Sequence, residues 1–439
     1  MLEVLFWIVY ICTPFLMILL LGIARERVLR VSMISVSVTA LYLFSVVGLL
    51  PLFYQWDIAR ANSGVVDQGI ILSVLLYSVL NINFFLFGVI AEKKSSNNKL
   101  SEKPNFISAA PPTKKQIFIL LTFLILSFIV FLDYISNFNE LAIFTAISSG
   151  AEDAGVVRSE MSNDFSGKYH WYRFFIHSVS QFATYILLAN WMGKRSRLNL
   201  ILFAISFCYT AFVAIVAVEK APIIWFLIGL FITHIFLKNN GVVRFGKLIP
   251  LLIVLSVGLV LMYQYFMGAE SISDALGRII SRAFAGSITP AYFYLEYFPH
   301  VSDYLYGATI PNPGGILPYV PVRYTVDVMN WVFPSLAIRG VVGSMPTVFW
   351  GETYANFGPF GIPVVAFFMG FLISKVNSYI LRMKLNGVVI GFYVWIILEV
   401  KNISESGFSS FVYNIQIILM VIILFVLMRF GGKNRILAH

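Results

Sequence analysis

The run LEVLFWIVYICTPFLMILLLGI, residues 2–23, decides the fold. It holds one charged side chain, Glu3, in a stretch long enough to cross a bilayer, which takes about 20 apolar residues in helical form. Arg25, Arg27 and Arg30 follow it directly, no basic stretch precedes it and no small-residue cleavage pattern closes it. It therefore reads as a retained membrane helix and not as a removed signal. Ten further stretches of the same kind lie at 31–53, 68–90, 116–134, 172–192, 199–218, 221–237, 248–267, 359–377, 387–402 and 409–428. The expectation is an all-α polytopic membrane protein with about 11 spans in one integral-membrane domain, residues 1–439. Composition agrees, since a chain 59% hydrophobic and 12% charged, with a mean hydropathy of +0.85, cannot cover a soluble globule of its size.

The net charge of +10 raises the question of nucleic acid. The basic residues fall instead in short clusters between apolar runs, so they read as topology signals and exclude a nucleic-acid partner. Alternate connections collect Arg25, Arg27, Arg30; Lys93, Lys94, Lys99, Lys103, Lys114, Lys115; Lys194, Arg195, Arg197; Lys238, Arg244, Lys247; Lys375, Arg382, Lys384; and Arg429, Lys433, Arg435. By the positive-inside rule that side is cytoplasmic, which puts the N-terminus outside and the C-terminus inside. The Lys-, Ser- and Asn-rich segment 91–115 then reads as a solvated cytoplasmic linker. Outside lie a medium loop, 135–171, and a large one, 268–358. Only Cys12 and Cys208 are present, both in apolar runs, and no His/Glu cluster or nucleotide-binding glycine motif occurs, so no metal or other cofactor is expected.

The large loop is the only long segment polar enough to build a site. Its Ser271–Gly286 part puts Ile272, Leu276, Ile279, Ile280 and Phe284 on one face and Asp274, Arg278 and Arg282 on the other, an amphipathic helix suited to the membrane–water boundary. Two readings compete for its arginines: snorkelling to lipid phosphates, or bidentate binding of a diphosphate by guanidinium groups one turn apart. Arg323 and Arg339 lie among Pro311-Asn-Pro-Gly-Gly315, Pro318, Pro321, Trp331 and Pro334, where rigid turns and rings suit either sugar binding or an interfacial aromatic belt. Glu352 precedes the ninth apolar run; it is either a helix-start carboxylate or a general base, with Tyr354 and Asn356 lining the same pocket. Elsewhere Arg158 stands alone in the medium loop, near Lys168, His170 and Arg173. Lys220 follows Glu219 at a tight hairpin, as an ion-pair partner or a phosphate contact.

The segment Gly351-Glu-Thr-Tyr-Ala-Asn-Phe-Gly-Pro-Phe-Gly361 resembles the closing part of the large outer loop in Wzy-type repeat-unit polymerases, the O-antigen and capsule polymerases. Arg282-Ala-Phe-Ala-Gly-Ser-Ile-Thr-Pro290, Tyr297-Phe-Pro and Tyr306-Gly resemble that family too, as does the layout of spans and loops. The resemblance covers residues 278–361 by motif and the rest by topology. It implies an inverting glycosyltransferase of the bacterial inner membrane, related in architecture to the O-antigen ligases. The implied donor and acceptor are undecaprenyl-diphosphate-linked oligosaccharides, used without metal or nucleotide and beside a chain-length regulator protein. On that reading Arg158, Arg278, Arg282, Arg323, Arg339 and Lys220, with Tyr354 and Asn356, hold diphosphate and sugar, and Glu352 is the base. The rival readings are an O-antigen ligase, for which His300 is the available histidine of the large loop, a polysaccharide flippase, and a non-enzymatic accessory subunit.

Overall fold

The computed structural model describes residues 1–96, 104–149, 151–161, 165, 169–266, 268–338 and 343–430. The protein is an all-α, multi-pass membrane protein. Among the described residues no strand forms, and ten helices are long and apolar enough to cross a membrane, from Leu2–Ile23 to Ser409–Arg429. The expected span at 172–192 is the eleventh stretch. It is divided into Tyr169–Arg173, a π-helical turn Phe174–Val179 and Ser180–Gly193, and Arg173, His177, Gln181 and Asn190 make it less apolar than the ten. Parts of the linker (97–103), Lys168 and Arg339 lie outside the described residues.

Local chemistry sets the helix ends. Asp67 Oδ1 accepts the N–H groups of Gly69 and Ile70 (2.6 and 3.1 Å) to open Gln68–Ser95, and Thr113 and Gln116 form a reciprocal capping box for Lys114–Ile135. Pro222 sits in the first turn of Lys220–Asn239, where its missing N–H is harmless.

The chain divides into two compact units, each assembled from separate segments. The first comprises Met1–Ser101, Arg278–Ser378 and Val400–Asn414; the second comprises Glu102–Gly277, Tyr379–Glu399 and Ile415–His439. In the first unit, Gln68–Ser95 packs closely on Phe349–Leu381 through two glycines. A Cβ on Gly88 would overlap the Phe367 carbonyl and one on Gly370 the Phe85 carbonyl, so only glycine lets these backbones meet. Polar contacts pin the same pair, from Trp350 Nε1 to Ser78 Oγ (3.3 Å) and from the Ser374 hydroxyl to Glu92 Oε2 (2.7 Å).

Phe349–Leu381 is not one rod. Gly358 breaks it at φ 64° and ψ −163°, and Pro359 follows directly. The break leaves the Ala355 and Asn356 carbonyls without intrahelical donors, and the N–H groups of Leu305 and Tyr306 take them at 2.9 and 3.0 Å. Residues 349–357 thus form a short separate helix, and the segment around 305 is stitched to its end.

In the second unit, Ser180–Gly193 and Arg197–Ile215 are joined by buried hydroxyls. Thr184 Oγ1 lies 2.6 Å from Ser206 Oγ and 2.9 Å from Thr210 Oγ1, and donates to the Ser180 carbonyl (2.8 Å). Such polar glue is favoured where lipid offers no other partner.

Candidate active site

The 349–357 helix presents Glu352 to the interior of the first unit, where it is 1% exposed. Its Oε2 accepts the Ser409 N–H at 2.9 Å, and the hydroxyls of Thr309 and Ser409 also face the carboxylate. Its Oε1 is buried with no hydrogen-bond partner. A buried carboxylate oxygen without a donor is costly, on the order of a few kcal/mol, so its retention calls for an explanation.

Aromatic hydroxyls complete the surroundings. Tyr294 and Tyr324 pack edge to face, ring centroids 5.8 Å apart. Tyr294 Oη donates to the Met345 carbonyl at 2.6 Å. Burial first, then the Glu352 charge, pushes both phenols far above their usual range, and Tyr294 adds a smaller rise at Tyr324, so both stay protonated. Gly407 closes the cluster. A methyl at its Cα would sit 2.5 Å from Tyr324 Oη, 2.7 Å from Glu352 Cδ and closer still to Oε2. Lys401, 4% exposed, opens the same segment and reaches Asn402 Oδ1 at 2.6 Å and Glu405 at 3.9 Å.

Tyr354 and Asn356 lie beside Glu352 on the helix, and their polar atoms are engaged in holding the neighbouring loop. Tyr354 Oη donates to the Phe298 carbonyl (3.2 Å). Asn356 Nδ2 donates to Thr309 Oγ1 (2.9 Å) and the Glu352 carbonyl (2.8 Å), while its Oδ1 accepts the Gly307 N–H (2.8 Å). Their contribution is the placement of Thr309 and of the 298–309 backbone around the carboxylate.

The arginines of the large loop are disposed differently. Arg278 ends the helix Ile272–Ile280, Arg282 lies in the π turn Ser281–Ala285 and Arg323 caps Tyr324–Val332; all three are exposed. Among the described residues Arg282 and Arg323 form no ion pair. The apolar face of Ile272–Ile280 is bare, with Ile272, Leu276 and Ile280 at 41–61% exposure, as expected of a helix lying in a membrane boundary. Arg323 is joined to the buried cluster through its neighbour Tyr324. Arg339 lies outside the described residues.

Two candidates belong to the second unit. Arg158 is half-buried on Ala151–Met161, and Lys220 holds its Nζ 3.6 Å from the Tyr263 ring centre. His170 lies tilted against Trp171, ring centroids 5.3 Å apart, and is exposed, and His300 is exposed.

Sequence reasoning passed over three groups of the first unit. The 400–414 segment, read as a span end and a turn, supplies Gly407 and Ser409. Tyr324 is one of many aromatics in the loop and carries no motif. Arg60, in the 54–67 loop, reaches within 3.0 Å of a Cβ position on Gly286, its Nε buried and unpartnered, while Asp57 accepts the Ser281 hydroxyl. Its one legible signal was a basic residue on the sparsely basic side of the chain. Comparison with known proteins adds no relative: no family model, no curated protein and no solved structure matches the chain.

Proposed function

We propose that the protein is a membrane glycosyltransferase that joins undecaprenyl-diphosphate-linked oligosaccharide repeat units at the periplasmic face of the bacterial inner membrane, with the N-terminus outside and the C-terminus cytoplasmic. The observation that carries this reading is the pairing, within one unit, of a buried carboxylate having one oxygen held and one oxygen unpartnered with exposed arginines on the same polar loop. The division of labour follows from the chemistry. An acceptor hydroxyl gives its proton to Glu352 Oε1 as its oxygen bonds to the anomeric carbon of the donor sugar. The bond from that carbon to the diphosphate oxygen breaks, and the lipid diphosphate leaves with the electron pair. Guanidinium groups of Arg278, Arg282 and Arg323 meet the charge that develops on it, which fixed donors stabilise in the transition state. Inversion at the anomeric carbon is the expected stereochemistry of this single displacement.

The test uses purified protein in proteoliposomes, given the lipid-linked repeat units that accumulate in cells lacking this chain. Longer glycans and released undecaprenyl diphosphate are expected. Absence of extension overturns the polymerase reading; transfer only on addition of lipid A core points to a ligase, and movement across the bilayer without extension to a flippase. Cysteine labelling from either side, with Cys12 and Cys208 replaced, checks the orientation.

A further inference from the structure

We propose that the segment 400–414 positions Glu352, and that Gly407 is its essential residue. The proposal rests on Glu352 acting as the base. Three observations converge on it. The Ser409 N–H holds Oε2 at 2.9 Å, while Oε1 has no hydrogen-bond partner although the Thr309 and Ser409 hydroxyls face the carboxylate. A Cβ on Gly407 would overlap Oε2 and sit 2.5 Å from Tyr324 Oη, so any side chain must displace both. Gly407 needs no glycine for its own backbone, because it does not have a positive φ; its small size answers to Glu352 and Tyr324 alone. The segment is braced internally by Lys401 with Asn402 and Glu405, and is anchored by packing of Lys401–Ser404 on Met33–Tyr42.

Oε2 is accordingly the tethered oxygen and Oε1 the proton acceptor, with Gly407 a positioning residue that acts only through Glu352. A purely structural glycine would tolerate no compensation at Glu352, whereas a positioning glycine predicts one. Gly407→Ala pushes on the carboxylate; Glu352→Asp withdraws that carboxylate by one methylene.

The experiment measures chain extension in proteoliposomes for Gly407→Ala, Glu352→Asp, the double variant and Glu352→Gln, with melting in detergent as the fold control. Gly407→Ala is expected to lose about 100-fold, the lower end of what a displaced general base costs. The double variant is expected to recover about tenfold over Gly407→Ala, a coupling typical of residues in contact. Full activity in Gly407→Ala overturns the proposal. So does a double variant no better than Gly407→Ala, or recovery produced by Tyr324→Phe and not by Glu352→Asp. Full activity in Glu352→Gln overturns the base assignment itself, so the two ideas fail separately.

Discussion

Two buried polar clusters, one in each unit, show what a membrane protein does with oxygen atoms it hides from water. Around Thr184 each hydroxyl finds another: Thr184, Ser206 and Thr210 satisfy one another and the Ser180 carbonyl. Around Glu352 the partners are equally close at hand, yet one carboxylate oxygen is held and the other is left bare. The first arrangement joins two helices and asks nothing of a ligand. The second leaves an acceptor unmatched at a charged group, which is the feature the proposed reaction would use.

Mutation separates the two clusters most sharply at the carboxylate. Glu352→Gln is expected to reduce chain extension by about 10²–10⁴-fold, the usual share of a general base, while leaving the melting temperature in detergent unchanged or raised because a buried charge is removed. A parallel drop in melting temperature and activity would make Glu352 as structural as Thr184. Next come the arginines. Arg282→Lys and Arg323→Lys should each slow extension by about 10-fold or more, since hydrogen bonds to charged groups contribute about 1.5–3 kcal/mol and Lys cannot reproduce the bidentate fork. Full activity in both Lys variants would assign these side chains to lipid anchoring. Asn81 offers a smaller effect of opposite sign. It lies fully buried on Gln68–Ser95 with neither amide atom partnered, so Asn81→Leu is expected to stabilise by about 1–3 kcal/mol in thermal melting. Thr184→Val should give the smallest change, a loss of about 0.6–1.7 kcal/mol with extension intact.

The spans were legible because lipid demands long apolar runs whatever the tertiary contacts. Residues 2–23 correspond to Leu2–Ile23 and residues 68–90 to the body of Gln68–Ser95. The stretch 172–192 stands apart because Arg173, His177, Gln181 and Asn190 dilute its apolar run; its π turn is not the cause, since Met33–Phe53 spans with one at Leu43–Val47. Glu352 was legible as a carboxylate at a helix start, but which of its two readings the fold favours depends on Ser409, which lies 57 residues along the chain. Ser406-Gly-Phe-Ser409 looks like any membrane-edge turn until its backbone is seen against a carboxylate. Tyr354 and Asn356 lie on the helix of Glu352 as their spacing implies, yet pattern does not show that their polar atoms are committed to the Phe298 carbonyl, the Gly307 N–H and the Thr309 hydroxyl.

The break at Gly358 has a consequence for how such a protein changes over time. The segment around 305 docks through main-chain N–H groups onto main-chain carbonyls, a form of recognition indifferent to side-chain identity. The main-chain bonds leave Leu305 free to vary, while Tyr304 packs edge to face on Tyr354 and against Gly358, and Tyr306 holds a φ of 47° that β-branched residues would strain. Mutational scanning of this short stretch should show tolerance at Leu305 between intolerant Tyr304 and Tyr306, with Gly358 and Asn356 equally intolerant, so that the loop keeps its address by backbone bonds and two rings.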